Sequence, residues 1–182
     1  SVINYLLSIG TSKNVSKKTN IKQIIDDFEI SSLSKSSLKF SPEILKNINK
    51  EIVMSYNFSD IKNRYKDLDM YNLNEDFWLF IRQNINFFNE SIEWHNIIFS
   101  DKVHSSSNDF LSIVAKNLPD EPYDHNTWQY WTNMVKKETG KSGKDLYMPI
   151  RKALTGKEEG PELKYLIPLL SKKHILKKLG NI

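Results

Sequence analysis

The chain has 182 residues, 39% of them hydrophobic and 26% charged, ordinary proportions for a globular protein able to bury one large core or two small ones. It contains no cysteine, which excludes disulfides, thiolate metal sites and thiol nucleophiles; no signal peptide is expected, and no apolar run approaches the roughly 18 residues that a membrane-spanning helix needs. The net charge of +4 conceals an asymmetry: residues 129–182 carry 12 Lys and Arg against 5 Asp and Glu, residues 1–128 carry 14 against 17. Base gathered at one end fits either a solvated basic surface or an electrostatic footprint for nucleic acid.

Taken in chain order, the apolar residues recur at helical spacing. Ile21, Ile24, Ile25 and Phe28 follow Asn20, an N-cap residue type, at i, i+3, i+4 and i+7. Ser41 followed by Pro42 predicts a capped helix with proline at its first position, where the missing N–H is harmless; Ile44, Leu45, Ile48 and Ile52 form its buried stripe. Asn74, with Glu75 and Asp76 complementing the helix dipole, opens a helix bearing Phe77, Phe80, Ile81, Ile85 and Phe88. Asn108 precedes Phe110, Ile113, Val114 and Leu118. Trp128, Trp131 and Val135 share one face of a helix from about Thr127 to Gly140. Period-two alternation between hairpin turns is missing, and no fixed-period repeat is visible, so the chain reads as all-α. Polar connections at 12–19, 69–74, 100–108 and 119–126 are candidate boundaries.

Between residues 139 and 170 glycines and prolines punctuate the helical pattern, with Lys141, Lys144, Arg151, Lys152, Lys157 and Lys164 among them. Gly140 stands where a left-handed residue ends the tryptophan helix. Pro149 is expected to break a long helix and start a short one over 149–155, closed by Gly156. Gly160-Pro161 opens the next, with Leu163, Leu166, Ile167 and Leu170 buried and Pro168 kinking or ending it. Ser171 caps a last helix over 174–179, with Ile175, Leu176 and Leu179 inward and Lys172, Lys173, Lys177 and Lys178 outward.

Catalytic and metal motifs are missing. His95, His104, His125 and His174 have no partner at i+3 or i+4, so no metal site is expected, and neither a Walker loop nor a G-x-G-x-x-G is present. Gly140-Lys141-Ser142-Gly143 matches the GXXG of a KH domain, but that fold needs a sheet. Ser34-Lys35-Ser36 resembles the lysine signature loop of class I aminoacyl-tRNA synthetases without its partner motif, and reads as a polar turn capping the helix that follows. Asp26/Asp27 and Glu158/Glu159 adjoin in sequence but diverge in space, which suits solvated charges rather than an acid–base pair. Trp128, Tyr130, Trp131, Tyr147 and Tyr165 are core residues in part, and bases could stack on those left exposed.

The order of motifs after Trp128 is more specific: Thr139-Gly140, Gly143-Lys144, Pro149-Ile150-Arg151, Ala153-Leu154-Thr155-Gly156 and Gly160-Pro161-Glu162-Leu163, then a basic closing helix. This order resembles the C-terminal anticodon-binding region of bacterial glutamyl-tRNA synthetases. Upstream, INYLLSIGTS is similar to the helix just past that family's catalytic signature loop, IIDDFEISSLSKSSLKFSPEILKNIN to its stem-contact segment, and FWLFIRQNI to the first helical anticodon module.

The resemblance implies an α-helical cage of two small modules after a short helical stem-contact segment. Its expected divisions are 1–52 for the stem-contact part, 53–110 for the first module and 111–182 for the second. It implies anticodon recognition on glutamate-accepting tRNA by the C-terminal part of a cytoplasmic, monomeric ligase without membrane or DNA partners. ATP and magnesium would serve a catalytic domain preceding Ser1; no catalytic residue, metal or cofactor is expected here. Arg151, Gly160, Pro161, Leu163 and Arg82 correspond to anticodon contacts, with Arg151 offering a planar five-donor fork for a base edge or face. The free N–H groups where the helix after Gly160-Pro161 begins suit base or phosphate acceptors. Gly160 stands where some members carry threonine. Lys144, Lys152, Lys177 and Lys178 are expected on phosphates. The alternatives are a free-standing helical interaction module of the same ancestry and general RNA binding through the basic tail.

Overall fold

Five short polar side chains set where helices begin. Asn20, Ser41, Asn74, Asn108 and Ser171 accept from the backbone N–H of Lys22 (2.9 Å), Ile44 (3.4 Å), Phe77 (2.9 Å), Leu111 (2.8 Å) and His174 (3.2 Å). Each thereby satisfies a donor that the helix itself leaves unpaired. The computed structural model describes residues 1–11, 17–66, 68, 70, 73–104 and 108–181. Among these, the helices are α1 (Val2–Gly10), α2 (Ile21–Asp26), α3 (Pro42–Ser55), α4 (Phe58–Ile61), α5 (Glu75–Ile81), α6 (Glu90–Phe99), α7 (Asp109–Lys116), α8 (Thr127–Thr139), α9 (Gly143–Thr155), α10 (Leu163–Leu166) and α11 (Lys172–Lys178). There is no strand among the described residues, only an isolated bridge between Thr11 and Leu33. The all-α expectation holds.

Buried residues gather in two clusters. Tyr5, Ile48 and Ile52 join α1 to α3 in a small one, and the Tyr5 hydroxyl accepts from Ser41 N–H (2.6 Å), tying that cluster to the α3 cap. The large cluster runs from Val53 to Leu179 and draws on α3 through α11. The residues of the two expected modules thus share one continuous core. Trp131 is fully buried within it and its indole N–H donates to Val114 O (2.8 Å), pairing α8 with α7. Gly140 and Gly156 end α8 and α9 with φ of 69° and 68°, a left-handed conformation that a Cβ would oppose.

Several expectations are corrected. Pro149 does not start a short helix; it lies inside α9, which runs unbroken from Gly143. Proline there forfeits the bond to the Asp145 carbonyl, at about 3 kcal/mol. Leu146, Ile150, Ala153 and Leu154, all buried, hold the helix through it. The last helix begins two residues earlier than expected, at Lys172. The stripe of α7 is Leu111, Val114 and Ala115, with Phe110 only half-buried. Ile44 is exposed, and of the α2 stripe only Ile24 is buried. Ser34 and Ser36 bond each other (2.6 Å) in a turn that caps nothing, because Ser41 caps α3. Of the candidate boundaries, 12–19, 69–74 and 100–108 fall partly outside the described residues. At 119–126 the Asp124 carboxylate accepts from Asn126 N–H and Thr127 N–H (both 2.9 Å) and so starts α8.

Candidate nucleic-acid interface

The turn from Gly156 to Leu163 is built by contacts from three other elements. Arg151, on α9, points its guanidinium across the turn, and Nη1 donates to Pro161 O (3.0 Å). Burial holds that guanidinium below its ordinary pKa. Trp94, on α6, lies against Gly160: a Cβ there would run into the far edge of the indole ring, 2.7 Å from Cζ2. Gly160 has φ of 139°, a conformation that also favours glycine. Lys157 sits over the Trp94 ring (5.5 Å) and pairs with Glu93 (2.6 Å), tethering the turn to α6. His104 packs on Gly156, where an added Cβ would stand 2.9 Å from Cε1. Pro161 and Leu163 are buried, so at this corner the exposed groups are the Gly160 backbone and the Glu162 side chain.

Beside the corner opens a cleft of about 520 Å³. Phe80, Gln83 and Asn84, at and just beyond the end of α5, form one wall; Glu162 and Tyr165 form the facing one. Tyr123 and His125 close a third side. Burial, with Glu121 and Asp120 nearby, pushes the Tyr123 phenol up to about 12, and its hydroxyl donates to Pro119 O (3.1 Å). His125 meets Tyr165 edge-on (5.0 Å). Two amides, three carboxylates (Asp76, Asp124 and Glu162), an imidazole and phenols offer both donors and acceptors, and so many carboxylates suit the donors of a base edge rather than a phosphate.

Arg82 ends α5 immediately before Gln83 but does not line the cleft; its Nη1 donates to Tyr56 O (3.3 Å), which also accepts from Trp78 Nε1 (2.8 Å). Arg151 likewise stands outside the lining. Each arginine thus gives one of its five N–H groups to the fold.

The cations divide. Lys144, with Lys141 and Lys152, rims a shallow groove floored by Leu111, Met148 and Pro149. Lys152 pairs with Glu158 (2.5 Å), which holds that carboxyl below its usual range. Lys177 pairs with Asp101 (2.8 Å). Lys178 does not face outward. It is 1% exposed, and its ammonium donates to Ile97 O (2.7 Å) near the carbonyl end of α6, where a cation complements the helix dipole. Burial lowers its pKa to about 8. Its spacing on α11 placed it with three outward lysines; the aliphatic stem instead fills the core. His104 and His174 lie near it, and burial followed by the charge of Lys178 lowers both imidazoles; for His174, Asp101 and backbone hydrogen bonds at Ser100 and Ile98 oppose this.

Two features have no signal in the sequence reading: Trp94 beneath Gly160, and the polar groups of 123–125 in the cleft. Among the aromatics, Trp131 is core while Tyr130, Tyr147 and Tyr165 are exposed.

A family model described as an anticodon binding domain matches residues 79–182. Among curated relatives, glutamate–tRNA ligase 2 of Hyphomonas neptunium is 31% identical over 183 residues, 99% of this chain and 41% of the relative. Glutamate–tRNA ligase 1 of Rickettsia felis is 32% identical over 184 residues, 100% of this chain and 41% of the relative. The chain therefore spans about two fifths of the length of these relatives. The solved glutamate–tRNA synthetase of Elizabethkingia anophelis matches with a TM-score of 0.72 at 15% identity, over 98% of this chain and 39% of that one. The glutamate–tRNA ligase of Elizabethkingia meningosepticum gives 0.76 at 14%, with the same coverage. The two structures support the helical fold, and the family match covers the corner and most of the cleft: this chain belongs to the anticodon binding domain family.

Proposed function

We propose that the chain is the tRNA-reading part of a glutamate–tRNA ligase, contacting the anticodon through the 156–163 turn and the cleft beside it. The observation that carries this reading is the cleft itself. It runs from the end of α5, next to Arg82, to Glu162 in the Gly160–Leu163 corner, two segments about 80 residues apart that the sequence resemblance separately assigns to anticodon contact. Its polar lining suits base edges, and the lysines that suit phosphate lie elsewhere, at Lys144 and Lys152 on α9 and Lys177 on α11. Base contacts specify while phosphate contacts position, so the two sets have separate tasks.

In this reading Arg151 presents its remaining donors beside the corner, and Gly160, Pro161 and Leu163 shape the backbone that a base meets. Arg82 stands behind the α5 wall. Lys178, being buried, is not a phosphate contact. Residues 1–52 serve the tRNA stem, and 53–110 and 111–182 are the two anticodon modules packed on one core. The parent ligase is cytoplasmic and monomeric, without DNA or membrane partners, and its ATP and magnesium belong to the part of the relatives that this chain does not span. Among the described residues no helix is long and apolar enough to cross a membrane.

The test is a titration of the chain with glutamate-accepting tRNA and with the same tRNA carrying an exchanged anticodon. Base reading predicts at least about fivefold tighter binding to the first, the lower worth of one good bidentate base contact. Equal affinities would refute it.

A further inference from the structure

Trp94 sits between the α5 wall of the cleft and the Gly160 corner beside it. On one side its ring meets Phe80 edge-on (centroids 6.4 Å apart), and Phe80 lines the α5 wall. On the other side the far edge of the indole lies against Gly160, within the space that a side chain at 160 would fill. Trp94 is 6% exposed and does not itself line the cleft. Its ring is fixed from above by Lys157, which Glu93 holds in place.

We propose that Trp94 is a positioning residue that sets specificity: it fixes the distance between the α5 wall and the Gly160 corner, so that bases are read by a corner without a side chain at 160. This rests on the anticodon-reading function proposed above. Two anchors hold the corner from different directions, Trp94 against Gly160 and Arg151 on the Pro161 carbonyl. Removing the outer ring of the indole frees one anchor and leaves the other. The corner then shifts against the α5 wall, and base discrimination suffers more than overall RNA affinity, which rests on lysines remote from Trp94. The same contact explains why position 160 holds no side chain here: with the indole in place, threonine has no room, and the φ of Gly160 disfavours it as well.

The experiment uses Trp94→Phe, Gly160→Ala and the double variant. Each is titrated with glutamate-accepting tRNA and its exchanged-anticodon form, and each is melted. Phenylalanine keeps a ring in the core but lacks the edge that touches Gly160. Trp94→Phe is expected to reduce the affinity ratio between the two tRNAs by about five- to tenfold, with affinity for the exchanged form held within about twofold, because non-specific binding is electrostatic. Gly160→Ala is expected to lower the melting temperature less in the Trp94→Phe background than in the wild type, since only the clash is relieved and the φ preference stays. Should Trp94→Phe not fold, Gly160→Ala alone displaces the same corner from its other side and should show the same loss of ratio.

A Trp94→Phe protein that melts earlier but keeps the wild-type ratio would overturn the positioning role, leaving Trp94 as core packing. Equal melting shifts for Gly160→Ala in both backgrounds would overturn the contact on which that role depends. If the wild type itself binds both tRNAs equally, base reading fails and the role of Trp94 fails with it.

Discussion

The first forty-four residues and the last seventy-four follow opposite rules. In the N-terminal stretch most large apolar residues stay outside, Tyr5 and Ile24 excepted: Ile25 is 65% exposed, Phe40 67% and Ile30 77%. In the C-terminal helices the reverse occurs, and Lys178, a charged residue, enters the core. Apolar periodicity tells which face of a helix could be buried; it does not say whether anything lies there to bury it. α2 has six residues and little to pack against, whereas α8 and α9 contact each other and both meet α7.

The sharpest way to break this contrast is to truncate one large side chain in each region. Trp131→Ala should destabilise the protein by about 3–5 kcal/mol, through the lost ring, the residual cavity and the unpaired Val114 carbonyl. Ile25→Ala should stay within about 0.5 kcal/mol, as exposed positions do. Urea denaturation of both variants measures the difference, and similar losses would mean that Ile25 is covered in solution.

Lys178 sharpens the other half of the contrast. Its folded pKa of about 8 lies below its ordinary 10.5, so between those values the folded state binds fewer protons than the unfolded one. Stability should therefore rise with pH from about 8 to 10.5, by at most about 3.5 kcal/mol at roughly 1.4 kcal/mol per pKa unit, and Lys178→Met should flatten the rise. His104 and His174, both lowered, act in the same direction at lower pH. Stability should fall as pH drops below about 6.5, where the unfolded imidazoles take protons more readily than the folded ones. Melting temperatures of wild type, Lys178→Met and a His104→Gln/His174→Gln double variant across this range follow both limbs.

Binding tests the same division at the surface. Arg151→Ala should weaken binding of glutamate-accepting tRNA by about 1–3 kcal/mol and loosen anticodon preference. Lys144→Ala should weaken binding alike for all tRNAs and reduce the slope of log affinity against log salt by about 0.7–0.9 if one phosphate contact is lost. Filter binding at several salt concentrations separates the two behaviours.

Much of the fold was legible because it is written locally. Each of the caps at Asn20, Ser41, Asn74, Asn108 and Ser171 needs only a short polar side chain beside a free N–H. The ends of α8 and α9 need only glycine in a left-handed conformation. Pro149 misled because local propensity was outweighed by four buried neighbours on α9. Lys178 misled because its spacing matches an outward row while its stem fits the space beside α6. The site was half legible. Arg151 and the Gly160-Pro161 corner carry a motif, but Trp94 lies 66 positions before Gly160, and nothing in one sequence pairs an indole with the glycine that accommodates it.

The most direct test of anticodon reading is chemical footprinting of glutamate-accepting tRNA bound to this chain, with wild-type protein and with Arg151→Lys. Base reading predicts protection of the anticodon bases by the wild type. With Arg151→Lys that protection should weaken while the backbone footprint persists, since lysine keeps the charge but loses the planar fork. Anticodon bases equally reactive in free and bound tRNA would contradict it.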